Sequence, residues 1–172
     1  MVKKKGYVLR YKRREKGITN YKKRLSLLKS RKPRLVVRKS NKHITVQVVE
    51  YHEDGDMVIT SANSKELGGY GWKFATSNIP SAYLTGYICG KKAKLKNIKS
   101  VIVDTGLHTV VKSSRIFAAV KGTIDAGLKI PTGDDIFEHE DRIRGKHIQS
   151  YRKIDITKEM DKIKNKIDKS MK

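Results

Sequence analysis

The residues best equipped for chemistry lie between Arg10 and Tyr51, in RYKRREKGITNYKKRLSLLKSRKPRLVVRKSNKHITVQVVEY, where lysines and arginines recur with tyrosines and short polar side chains among them. Residues 1–49 carry 18 Lys and Arg against one acid, Glu15, whereas residues 50–150 carry 14 basic and 12 acidic side chains. Charge needed only for solubility would be spread along the chain. A block of this kind attracts a polyanion, and phosphate backbones are the commonest one. Its cations can neutralise phosphates, Tyr11 and Tyr21 can stack on unpaired bases, and Ser40, Asn41 and His43 can hydrogen-bond riboses or base edges. A membrane surface would want an apolar face beside the charge, and residues 1–24 offer almost none.

Other constellations carry less. Val101-Ile-Val-Asp104-Thr-Gly106 has the form of an aspartic protease strand end, but that chemistry needs two aspartates sharing a proton. One copy is present, and the helical periods contradict the all-β body such an enzyme has. Asp104 is read instead as ending a strand and bonding backbone N–H groups of the next turn. A metal-dependent nuclease is the competing class, since it too would explain a basic surface. It requires several carboxylates converging at strand ends, yet the first strand holds none and the third offers only Asp56 at its entry. Glu138, His139, Glu140 and Asp141 are adjacent and read as a solvated acidic turn. His43, His52, His108 and His147 are scattered, with no spacing suited to zinc. Gly68-Gly69-Tyr70-Gly71 lacks the Lys-Ser/Thr of a phosphate loop. No catalytic centre, metal site, cofactor or small-molecule substrate emerges. The single Cys89 cannot form an internal disulfide, agrees with a reducing cytosol and is expected to pack as a small apolar residue.

The elements that position these groups follow from periodicity. With 172 residues, 37% hydrophobic and 33% charged, the chain reads as a soluble, unsecreted α/β protein without membrane spans. It divides into a basic arm and helix (1–30), a core domain (31–130) and an extension (131–172). Met1 to Gly17, without apolar periodicity, should be disordered alone. Thr19 or Asn20 can cap a helix running through Ser30, stopped by Pro33. RLVVRK and HITVQVVEY read as an antiparallel pair joined by a turn at Ser40-Asn41-Lys42, where Asn41 tolerates positive φ, with Ile44, Val46 and Val48 on the inner face. DMVITSA is a third strand, and Leu67–Lys73 an irregular packed connection. Asn78 and Pro80 open a helix burying Ile79, Tyr83, Leu84, Tyr87 and Ile88, closed by the cationic stretch Lys91 to Lys99. Ser100–Asp104 reads as a fourth strand buried on both faces and parallel to one of the first three. A helix capped by Ser113 or Ser114 follows, with Phe117, Val120, Ile124 and Leu128 inward. The sum is a mixed sheet of about four strands packed with helices. Opposite charges between Asp134 and His147 can pair locally. Ile156, Met160, Ile163 and Ile167 then form an apolar seam that must be covered by this domain, by a partner or by the edge of an RNA groove.

At SRKPRLVVRKSNKHITVQ (30–47) the chain resembles the large-subunit ribosomal protein that binds 5S ribosomal RNA, numbered eighteen in bacteria and five in eukaryotes, in its archaeal form. The resemblance continues through YKRREKGITNYKKRL, GGYGWKFATSNIPSAYLTGYICGKKA and DTGLHTVVKSSRIFAAVKGTIDAGLKIP, covering most of residues 10–148. It implies a ribonuclease-H-like mixed sheet without the nuclease carboxylates, in a cytoplasmic ribosome. It also implies a structural role in which the basic arm grips 5S rRNA while other surfaces meet large-subunit rRNA and neighbouring large-subunit ribosomal proteins. Carried over residue by residue, it marks Arg10, Lys12, Arg13, Arg14, Tyr21, Arg24, Arg31, Lys32, Arg34, Lys39, Ser40, Asn41, Lys42 and His43 as RNA contacts. Lys112, Ser113, Ser114 and Arg115, at a basic helix start, are further candidates.

Overall fold

Strand alternation decides which way the sheet faces. The computed structural model describes residues 9–133, 140–152 and 155–171; Met1 to Val8 of the arm, and Asp134, Glu138 and His139 of the acidic turn, lie outside the described residues. In β1 (Arg34–Lys39) Leu35 and Val37 are fully buried, and in β2 (Ile44–Glu50) Ile44, Val46 and Val48 join them, so Arg34, Val36, Arg38, Thr45 and Gln47 point to the opposite face. β3 (Met57–Asn63) contributes Thr60 and Ala62 to the inner side. The order is β3-β2-β1-β4, with β1 to β3 antiparallel and β4 (Ile102–Asp104) parallel to β1, as a strand–helix–strand crossover requires. The β1–β2 turn is closed by Ser40, whose hydroxyl accepts from the His43 N–H and donates to the His43 carbonyl, both at 2.9 Å. Asn41 therefore does not need a positive φ and does not adopt one. β4 is shorter than Ser100–Asp104 suggests, and Ile102 and Val103 are only half-buried because the strand lies at an edge.

Helices α3 (Ile79–Leu95) and α4 (Arg115–Asp125) cover the inner face. Asn78 caps α3 by accepting from the Ser81 N–H at 2.9 Å, with Pro80 in the first turn where its missing N–H costs nothing. The expected apolar stripe of α3 is too narrow: every residue from Pro80 to Gly90 is buried, since the helix packs on β2 and β3, on α4 and on the C-terminal segment. In α4 the buried side is Ile116, Ala119, Val120 and Thr123, while Phe117 and Ile124 of the expected stripe are half-buried. The shift has a physical cause. Gly86 and Gly122 bring the two helix backbones together, so close that a Cβ on Gly122 would stand 2.1 Å from the Tyr83 carbonyl oxygen. The small-residue face of α4 is thus the one that packs.

Leu67–Lys73 is more regular than expected, because residues Ser64–Tyr70 form a 3₁₀ helix held by an Asn63/Glu66 capping box. Cys89 is buried beside the Thr60 hydroxyl, 3.7 Å away, and burial pushes its thiol up to about 11. Two short helices, α5 (Glu140–Ile143) and α6 (Lys146–Arg152), lead to α7 (Ile156–Ser170); Lys146 pairs locally with Asp141 at 2.6 Å. The seam of α7 is covered by this same domain. Ile156, Met160, Ile163 and Ile167 are buried against α3 and the 3₁₀ helix, the Tyr87 hydroxyl donates to Asp168 at 2.7 Å, and Lys91 pairs with Asp168 at 2.6 Å. Ile163→Ala is expected to cost about 3 kcal/mol, through reduced transfer energy plus a residual cavity. Urea denaturation giving an unfolding free energy lower by that amount, with the midpoint shifted down, would check it; an unchanged midpoint would place α7 outside the cooperative unit.

Candidate nucleic-acid interface

The basic arm has almost no apolar means of attachment. α1 (Lys12–Glu15) is one turn, α2 (Tyr21–Leu28) is capped by Asn20, which accepts from the Lys23 N–H at 3.1 Å, and neither contains a buried residue. Arg10, Lys12, Arg13 and Arg14 are exposed, with Arg13 Nε donating to Thr19 at 2.9 Å across the intervening loop. The Tyr11 and Tyr21 rings lie 5.3 Å apart, and Tyr11 is 72% exposed, a stacking surface at the edge of a cationic segment.

Charged side chains fix α2 over the outer face of the sheet. Arg24 grips Asp56 with two bonds of 2.8 and 2.9 Å; Arg34 binds Asp56 at 2.7 Å and Asp104 at 2.8 Å; Arg38 completes the row on Asp104 at 3.3 Å. Lys23 Nζ adds bonds to the Thr105 hydroxyl at 2.9 Å and the Gly106 carbonyl at 3.0 Å. Between α2 and the strands an open groove of about 770 Å³ remains, lined among others by Arg13, Tyr21, Lys23, Arg38, Gln47 and His108. Asp104 also accepts the Gly106 N–H at 2.8 Å, the strand-end role expected of it.

The acids in this row stay ionised. Burial alone would raise the carboxyls of Asp56 and Asp104. For Asp56 the Arg24 and Arg34 guanidiniums outweigh burial, for Asp104 the Gly106 N–H with Arg38 and Arg34 does, and both carboxyls lie below their ordinary range. A depressed folded value means that the stabilisation is fully present above the unfolded carboxylate pKa of about 3.9 and disappears as pH falls through the folded value. Asp104→Asn should therefore cost about 2 kcal/mol at pH 7, since Arg34, 3% exposed at its side chain, keeps only one ionised partner. It should also flatten the fall in stability below pH 4. Thermal melts from pH 2 to pH 7 check both; a variant as stable and as acid-sensitive as the parent would remove the clamp's role.

A second group of predicted residues gathers where β1 and β4 end and α3 and α4 begin. The Thr76 hydroxyl donates to the Lys42 carbonyl at 2.8 Å and lies 3.2 Å from His43 Nδ1, while Arg115 donates to the neighbouring Ser77 carbonyl at 3.0 Å. His108 is held below its ordinary pKa by burial and by the charges of Lys39 and Arg38. The hairpin tip from Lys39 to His43 and the stretch Lys112 to Arg115 thus share one cationic end, to which two helix N-termini add partial positive charge. Ser40 is engaged in its turn, and Ser113 has a positive φ of 54°. Ser114 precedes α4 without making a side-chain cap bond. Arg31 and Lys32 are exposed at the other end of β1, a strand length of roughly 17 Å away.

Two predicted RNA-facing residues are engaged by acids of the sheet: Arg34 is buried, and Arg24, 30% exposed at its side chain, is paired with Asp56, so both hold the arm in place. Lys23, Arg38, Asp56 and His108 belong to the site without any motif to mark them, although the alternation that buries Leu35 and Val37 already turns Arg34 and Arg38 to one face. Among the described residues no three His, Cys, Asp or Glu side chains converge as metal ligands. Asp56 and Asp104, the two acids a nuclease would use, are each held by two guanidiniums.

Comparison with known proteins agrees. Residues 5–100 match the family described as ribosomal large subunit proteins 60S L5 and 50S L18. Large ribosomal subunit protein uL18 of Methanobrevibacter smithii is 43% identical over 88% of this chain and 78% of its own length. That of Thermofilum pendens is 49% identical over 86% and 76%, and that of Methanoregula boonei 42% identical over 96% of both. These relatives are ribosomal proteins and not enzymes. A basic arm clamped across a four-stranded mixed sheet, in a sequence this similar to uL18 over nearly its whole length, belongs to the uL18 family of structural proteins of the large ribosomal subunit.

Proposed function

We propose that this chain binds 5S rRNA and attaches it to the large-subunit rRNA in the central protuberance, beside neighbouring large-subunit ribosomal proteins. The observation that carries this reading is the arm. Its exposed cations Arg10, Lys12, Arg13 and Arg14, with Tyr11 and Tyr21 beside them, are held across the sheet by Arg24–Asp56–Arg34–Asp104. Phosphate attraction supplies most of the affinity, and stacking with a few base contacts supplies selectivity. In this reading Arg31, Lys32, Lys39, Asn41, Lys42, His43, Lys112 and Arg115 extend the interface to further phosphates, Ser40, Ser113 and Ser114 shape the backbone that presents them, and Arg24 and Arg34 are positioning residues. Titration of the protein with 5S rRNA and with an unrelated folded RNA of the same length tests it. At least tenfold tighter binding of 5S rRNA at 0.15 M salt is expected, and equal affinities would sink the assignment of the RNA.

A further inference from the structure

The outer edge of β3 is closed by side chains from α3 and from the 3₁₀ helix. β3 ends the sheet, and it pairs with β2 on one side only. In an antiparallel strand the N–H and C=O of one residue point to the same side, and successive residues alternate, so one set of backbone groups on an edge strand has no strand to bond. In β3 that set includes Ile59, Ser61 and Asn63, and one backbone group of each has a side-chain partner. Lys96 Nζ donates to the Ile59 carbonyl, Lys92 Nζ donates to the Ser61 carbonyl at 3.0 Å, and the Asn63 N–H donates to Glu66 at 2.9 Å. Glu66 also pairs with Lys92 at 2.7 Å, which aims the lysine along the edge. Lys92 lies in the last turn of α3 and Lys96 at its C-cap, four residues or about 6 Å further on, and the two carbonyls are two strand residues apart, about 7 Å. The repeat of the helix thus matches the repeat of the strand.

We propose that Lys92 and Lys96 guard this edge, and that without them β3 pairs with β3 of a second copy of this chain. Their charges at the carbonyls would have to be displaced before any strand could add there. The second copy is the occupant because an antiparallel β3–β3 pair is two-fold symmetric and satisfies both exposed edges at once. The opposite edge, β4, has three residues and offers no comparable ladder. Met57 and Val58, both exposed at the start of β3, would lie close to that junction.

The test is the molar mass of the free protein by light scattering in about 0.5 M salt, where repulsion between copies of net charge +23 is screened. The parent chain and Lys92→Arg/Lys96→Arg, which keeps donors at both places, should run as monomers of 19.6 kDa. Lys92→Met/Lys96→Met keeps the apolar stems and removes the donors, and its mass should double. Adding Ser61→Pro to that variant should restore the monomer, because the Ser61 N–H faces away from β2 and a proline there blocks only the outer edge. A Met/Met variant that stays monomeric overturns the proposal, as does one whose association survives Ser61→Pro. Loss of the folded circular dichroism signal in the Met/Met variant also overturns it, since the lysines would then be needed for the fold itself.

Discussion

Gly122→Ala should lower stability by about 3 kcal/mol or more, against the roughly 1 kcal/mol gain that alanine brings to an ordinary helix interior. The added Cβ would meet the Tyr83 carbonyl oxygen at 2.1 Å and the Tyr87 nitrogen at 3.0 Å, both backbone atoms that cannot rotate away. Gly86→Ala should behave alike, with its Cβ 1.9 Å from the Ala119 carbonyl oxygen. Relief requires α3 and α4 to separate. α3 cannot retreat, because β2 and β3 press on one side and α7 on another. The same separation would pull Arg115 from Ser77 and disturb the cationic end of the sheet. Chemical denaturation of each variant checks this, and a gain in stability at either position would show that the helices do not touch there.

The second large effect concerns RNA. Lys12→Gln/Arg13→Gln/Arg14→Gln removes three exposed charges from α1, which contributes no buried residue, so the fold should survive unchanged. Each phosphate that the protein no longer neutralises lowers the slope of log affinity against log salt by about 0.7 to 0.9. If all three side chains meet phosphates, the slope falls by about 2 to 3, and binding at 0.1 M salt weakens by about 100-fold, with the difference closing toward 1 M. Measuring affinity at four or more salt concentrations separates this from a change in base recognition, which would weaken binding without altering the slope. An unchanged slope would mean that the arm does not meet the phosphates.

Local signals are legible in this sequence, and pairings between distant segments are not. The Asn78–Pro80 helix start, the β1–β2 hairpin and the 4-3-4 spacing of the α7 seam all depend on neighbours within a few residues. The clamp depends on acids 22 and 70 residues from Arg34, so no window of sequence could show that its charge is spent internally. The face of α4 escapes the hydrophobic pattern for a related reason. Periodicity favours large side chains such as Phe117 and Ile124, whereas the packed face is set by a backbone approach that only glycine and alanine permit. The seam of α7 is legible as a seam, but what covers it is not, since its neighbours Tyr83 and Tyr87 lie some 80 residues upstream.

The role of the arm is tested most directly in assembled large ribosomal subunits, by ultraviolet crosslinking of the native protein followed by sequencing of the RNA attached to peptides spanning residues 10–24. Tyr11, Tyr21 and the cations between them should crosslink to nucleotides of 5S rRNA. Crosslinks from these peptides only to other ribosomal RNA would contradict the assignment.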